Sequence, residues 1–325
     1  MLNTKLISAV LSVLVLLMYL GGWWVSREPA MLVDEIEHSH QRLGDKAIVG
    51  YSTTTALIRV SETLLDKSGG YLANDIMPPF SLLDNMPAWE LGALEMSRDL
   101  ALALRKDLSR SQSQSTENPY LKVAQPMFNI DHRSWAIPSA EAEYRKAIAQ
   151  LYLYRDELMD PARPDSQFYA RADNLRDWLK AVEKRLGSYS QRLSASVGQD
   201  RLNTDLAGDA AARQSTSAPG QRLVKTSWWK LDDEFYEARG ASWALLHFLK
   251  AVEIDFADVL QRKNAMVSLR QIIRELEATQ QAIWSPMILN GSGFGLMANH
   301  SLVMANYVSR ANAALIDLSE LLTQG

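Results

Sequence analysis

Cleavage of a glycosidic bond needs two carboxyl groups flanking a cleft, one as acid and one as base or nucleophile. The chain offers Asp75 and Asp84 in one irregular stretch and Asp233, Glu234 and Glu237 in another. The second set stands at the start of a helical pattern, where the macrodipole favours negative charge, so it has a structural reason to be there besides a chemical one. The histidines His38, His40, His132, His247 and His300 include no pair spaced four apart, as a helical zinc site requires. There is no cysteine, which removes disulfides, zinc-thiolate sites, iron–sulfur clusters and thiol catalysis. Asn290-Gly-Ser-Gly-Phe-Gly295 has the close glycines of an anion loop. It lacks the preceding strand of a dinucleotide fingerprint and the Gly-Lys-Ser/Thr of a phosphate loop, and reads as a turn folding the last helix back. With no nucleophile elbow and no metalloprotease helix, the sequence assigns no catalytic residue, no metal and no cofactor.

The groups left for binding fall in two odd segments and just beyond the second. Tyr71 to Trp89 is crowded with Pro, Asn, Asp and aromatics, and Pro78-Pro79 forbids regular helix there. Trp284 to Gly295 breaks the pattern again with Pro and Gly. Loops on a rigid scaffold commonly carry binding groups, so the candidates are Asn74, Asp75, Asp84 and Trp89 from the first, Trp284, Asn290, Gly291, Gly293 and Gly295 from the second, and His300 after it. The expectation is that the two loops lie together and form one surface; the alternative is that both only cap a bundle.

What positions them is helical throughout. The stripe Phe168, Ala172, Leu175, Leu179, Val182, Leu186, Tyr189, Leu193 alternates steps of four and three without a miss, a heptad-type seam. Tyr144, Ile148, Leu151, Arg155 and Leu158 mark the helix before it, and Ala93, Met96, Leu100, Leu104 and Leu108 an earlier one. A stripe from Ile36 to Leu64 weakens around Gly50 to Thr55, where either one helix has a soft centre or two meet. Asp232-Asp233-Glu234 opens a helix that reads as one spine to about Gln281, and a last helix carries Val303, Tyr307, Ala311, Ala314, Leu318 and Leu321. Ser196 to Gln221 has almost no large apolar residue, the composition of a flexible linker. The predicted fold is all-α: one transmembrane helix, then a bundle of about six to eight helices. Its parts are an anchor at 1–28, a helical region at 29–195 with irregular loops at 71–89 and 109–138, a linker at 196–221, and C-terminal helices at 222–325 that pack on the preceding region.

Leu6 to Val25 carries no charge over twenty residues, about 30 Å of helix and enough to span a bilayer's hydrocarbon core. It outlasts the apolar region of a cleaved signal peptide and ends in Gly-Gly-Trp-Trp, which spoils the obvious cleavage frames. Trp23 and Trp24 suit the headgroup layer, with Arg27 just beyond. The short tail with Lys5 favours a cytoplasmic N-terminus, which in a bacterium leaves the bulk of the chain in the periplasm. Of 34 basic residues, Lys5 and Arg27 belong to this stretch and its edge; the remaining 32 face 38 acidic ones. That balance argues against a nucleic-acid partner. With 47% apolar residues in 325, the chain can bury a sizeable core.

At Gly69-Gly-Tyr-Leu-Ala-Asn-Asp-Ile-Met-Pro-Pro-Phe80, Asp84-Asn-Met-Pro87, Ser109-Arg-Ser-Gln-Ser-Gln-Ser-Thr116, Ala238-Arg-Gly240 and Trp284 to Gly295, the chain resembles a family of bacterial membrane-anchored proteins of unknown function. The resemblance covers nearly the whole chain and implies an inner-membrane address without an activity or a catalytic residue. The expected function is that of a single-pass, periplasm-facing scaffold or adaptor of the cell envelope, bound to the bilayer through residues 6–25 and to a protein partner, with homo-oligomerisation compatible. An envelope hydrolase using paired carboxylates and a helical receptor for a lipid or small apolar ligand are the alternatives.

Overall fold

The computed structural model describes residues 4–44, 48–78, 80, 83–111, 116–163, 166–202, 221–285 and 287–324. Eleven α-helices and one two-stranded ribbon lie among them. The first half of the chain forms α1 (Thr4–Val25), α2 (Val33–Leu43), α3 (Tyr51–Asp66), α4 (Asn85–Ala103), α5 (Pro119–Phe128) and α6 (Ala140–Leu158). Then come α7 (Ala172–Ser194), β1 (Gln199–Leu202), β2 (Gln221–Val224), α8 (Leu231–Asp255), α9 (Ala257–Arg262), α10 (Met266–Thr279) and α11 (His300–Thr323). Ten helices thus follow the apolar one, more than the six to eight that periodicity suggests, because stretches that read as single helices are broken. The spine expected to reach Gln281 stops at Asp255; Asn264 takes a φ of 52°, and α10 folds back antiparallel onto α8. Ser196–Gln221, expected as a linker, has ordered flanks: antiparallel β1 and β2 pair Gln199 with Val224 and Leu202 with Gln221. The interior of that linker, residues 203–220, lies outside the described residues.

At the centre, α4 and α8 cross with their backbones nearly touching. Gly92 and Gly240 allow it: a Cβ on Gly92 would fall 1.9 Å from the Glu237 carbonyl oxygen, and one on Gly240 2.0 Å from that of Trp89. Every residue of α8 from Ala238 to Leu249 is buried, as a helix surrounded by others must be apolar or small all round. The α7 seam is buried from Leu175 to Leu193 and packs against α11. On α11 the buried face is Met304, Val308, Ala311, Leu315, Leu318 and Leu322, leaving the expected Val303 exposed.

The soft stretch at Gly50–Thr55 is a junction of two helices. The Thr53 amide and hydroxyl donate to Asp255 Oδ2 at 2.6 and 2.7 Å, so a carboxylate from the end of α8 satisfies the orphan donors that start α3. This is one end of the body. At the opposite end α3 finishes, α8 begins and α10 finishes, and there α1 joins. Val25 is only 2% exposed and rests on Gly69, whose φ of +86° admits no side chain and where a Cβ would fall 2.7 Å from the valine's. Glu28 pairs with Arg239 at 2.7 Å, and the same guanidinium donates to the carbonyls of Thr279 and Gln281 past the end of α10. The rest of α1 projects outward with its side chains exposed, and it is long and apolar enough to cross a membrane.

Candidate functional site

An acidic cleft of about 580 Å³ opens at the end of the body that receives α1. One wall is the loop after α3, with Asn74, Asp75 and Asp84; the first turns of α8 supply Asp233, Glu234 and Glu237 opposite, with Lys230 just before them. His132 and Arg133, from the α5–α6 connection, complete the rim. The α4–α8 crossing brings these walls together, so all five carboxylates singled out in the sequence share one cavity. Asp84 also caps α4, accepting from the Asn85 amide at 3.0 Å. Asn74 is held by its amide nitrogen, which donates to the Ser134 carbonyl at 2.9 Å and to Glu141 at 2.7 Å.

The charges in the cleft are unequal. Burial first, and then the negative Asp84 and Asp232, push the Asp233 carboxyl up to about 6. Its Oδ1 is buried with no hydrogen-bond partner. Burial also raises Glu234 against the pull of Arg192, which binds Glu234 at 2.6 Å and Glu237 at 2.7 Å. Asp75 is raised by burial and by Glu141, whereas His132 is lowered by burial and by Arg133. Asp233 therefore keeps its proton to a higher pH than a free carboxyl does, the direction of shift that a general acid requires. Among the described residues no group of three or more His, Asp or Glu side chains converges as a metal ligand set.

The second odd loop lines a separate, more apolar groove of about 430 Å³ with Phe235, Tyr307, Met304, His300 and Trp284. Both loops sit at the same end of the body, but Phe235 and Arg239 project from the face of α8 opposite Asp233 and Glu237, so they form two concavities and not one surface. Trp89, a binding candidate from the first loop, is fully buried with its ring 5.0 Å from that of Trp243; the tight crossing beside Gly240 places it in the core. Asn290 donates to the Ser196 carbonyl at 3.0 Å and accepts from Asn299 at 2.7 Å. Gly291 approaches the Met297 backbone as the hairpin closes, Gly293 and Gly295 are exposed in its tip, and His300 Nδ1 accepts from the Leu289 amide at 3.1 Å. These contacts make the glycine segment a turn closed on itself.

Periodicity alone did not single out the groups behind the cleft. Glu90 is fully buried, pairs with Lys67 at 2.5 Å and accepts from the amides of Leu72 and Ala73 at 2.9 and 2.8 Å, fixing the loop from beneath. Its signal was available: it stands in the apolar stripe of α4 between Met86 and Ala93, where a charge needs a buried partner. Arg239, inside the apolar run of α8, gave the same sign. No curated protein and no solved structure matches the chain. A helical body, an N-terminal apolar helix and both odd loops all fall within one family profile matching residues 2–325, and the chain belongs to that family, described as "Uncharacterized protein conserved in bacteria (DUF2333)".

Proposed function

We propose that this chain is a membrane-tethered helical platform of the bacterial cell envelope, a scaffold or adaptor that holds a partner protein at a fixed height above the inner membrane, with residues 28–325 in the periplasm. The observation that carries it is the seat of α1. A cleaved signal would take Val25 out of the core and leave Gly69 facing a hole; a helix locked in by Val25 and by the Glu28–Arg239 pair is built to stay. A rigid joint also fixes the orientation of the body, as a docking platform requires and a floppy tether does not supply. The absence of cysteine fits the periplasmic side. The acidic cleft is the docking site in this reading.

Two measurements test it. Alkaline phosphatase fused after residue 325 is expected to be active, and an inactive but stably made fusion overturns the topology. A photo-crosslinking amino acid at Ala88, inside the cleft, should give a discrete protein adduct in native membranes that the same group at the distal, exposed Val267 does not. Adducts from neither position, or equally from both, reject the cleft as a docking site.

The pairing of Asp84 with a raised Asp233 favours one second reading, hydrolysis of an envelope glycan with Asp233 as acid. That reading expects the purified protein to release reducing ends from glycan strands, and Asp233→Asn to abolish this at an unchanged melting temperature. No release by the unaltered protein rejects it.

A further inference from the structure

We propose that a rim of apolar side chains on the loops around α1, and not the acidic cleft that opens at the same end, dips into the headgroup layer beside the anchor. This rests on the anchored reading above and adds a second, peripheral contact to it. Of the nine tryptophans, Trp89, Trp178 and Trp243 are buried. Trp23 and Trp24 close the anchor, and the remaining four, Trp135, Trp228, Trp229 and Trp284, are all exposed outside the α-helices at this one end.

Contacts fix each placement. Trp228 and Trp229 form a 3-10 turn directly before α8, whose Arg239, two turns further on, pairs with Glu28. Trp284 follows the end of α10, whose last carbonyls the same arginine binds. Trp135 adjoins Ser134, whose carbonyl accepts from Asn74 in the loop after Gly69, the residue beneath Val25. Leu83, at the far side of that loop, lies against Gly22 of the anchor, and Met77 is exposed between them. Phe294 is exposed at the tip of the hairpin ahead of α11.

Geometry sets the height. At about 1.5 Å per residue, Trp23 and Trp24 stand within about 3 Å of Val25 along α1, so the end that buries Val25 lies at the level of the anchor's own aromatic belt. An indole at that level buries its ring and keeps its N–H wet, as interfacial tryptophans do. Trp229 is 79% exposed and Trp284 96%. Four exposed indoles gathered at one end suit a contact surface, and what the apolar helix α1 brings to that end is a bilayer. No tryptophan is exposed at the distal end among the described residues, where Val267 is a smaller exposed apolar residue.

Because the chain has no cysteine, single-cysteine variants can read this directly. Full-length protein carrying Met77→Cys, Trp229→Cys or Phe294→Cys is labelled with an environment-sensitive fluorophore and reconstituted in phosphatidylethanolamine–phosphatidylglycerol vesicles. Leu14→Cys marks the anchor and Val267→Cys the distal end. The three rim labels are expected to be quenched by brominated acyl chains several-fold more than the Val267 label, and to be shielded from aqueous iodide. Rim labels open to iodide like Val267 overturn the proposal; so do rim labels shielded from iodide without bromolipid quenching, which means that a second copy covers the face. Quenching at Leu14 without quenching at the rim rejects this proposal alone, whereas a Leu14 label that escapes the brominated lipid rejects the anchored reading with it.

Discussion

His247 shows how one buried side chain ties the anchor's exit to the core. Its Nε2 accepts from the Leu32 amide at 2.8 Å, so Nδ1 carries the proton and donates to the Trp243 carbonyl at 2.6 Å. Burial pushes the imidazole down to about 4. An unfolded chain takes up a proton near pH 6.5 that the folded one refuses until about 4. The stability carried by this residue is therefore present above 6.5 and lost as pH falls through that window, up to about 3 kcal/mol. Hydrogen exchange at the Leu32 amide, corrected for the intrinsic rate, should lose protection between pH 6.5 and 4 relative to Leu249, and His247→Asn should flatten the dependence; a pH-independent Leu32 refutes the role. Arg239 has a similar post. Arg239→Met strands Glu28 and the carbonyls past α10, for an expected loss of about 3 kcal/mol in thermal unfolding. Arg239→Lys should recover only part, since an ammonium cannot reach carboxylate and carbonyls in one fork. Full recovery by lysine would reduce the contact to simple charge.

Among elements, the α4–α8 crossing positions the cleft, because the walls carrying Asp84 and Asp233 are those two helices' first turns and the residues before them. Gly92→Ala and Gly240→Ala each drive a methyl into a facing carbonyl and must push the helices apart, at about 1–3 kcal/mol apiece. The pair should cost less than the sum, since the first displacement makes room for the second methyl. Thermal melting of the three variants checks this, and melting temperatures equal to the unaltered protein's would mean that the helices are not locked at that distance. The tight crossing was hidden in the sequence because neither glycine stands out within a helical pattern. The α7 seam was plain, because a heptad stripe depends only on neighbours within the same helix.

For the molecule as a whole, the seat of α1 decides whether the body is fixed or swings. Val25→Asp buries a carboxyl against Gly69 in the apolar core cluster, and is expected to lower the melting temperature of the body by a loss of about 2–4 kcal/mol. The protein should stay in the membrane fraction, since Leu6 to Trp24 are untouched. An unchanged melting temperature would mean that the seat adds nothing to the core and that the platform is hinged.

The sequence by itself determined the all-α class, the N-terminal apolar helix, the seams of α6 and α7 and the irregular character of both odd loops. Each follows from spacing or composition within a short window, where helix periodicity, proline's missing donor and apolar length act locally. Only the tertiary structure decided that Asp75, Asp84, Asp233, Glu234 and Glu237 share one cleft, that Trp89 packs on Trp243 at the crossing, that the two loops open on opposite faces of α8, and that the spine stops at Asp255 and turns at Asn264 so that α10 folds back. Those outcomes depend on the distance and angle at which helices far apart in the chain cross. Here two glycines set that distance, and it has no local signature in the chain.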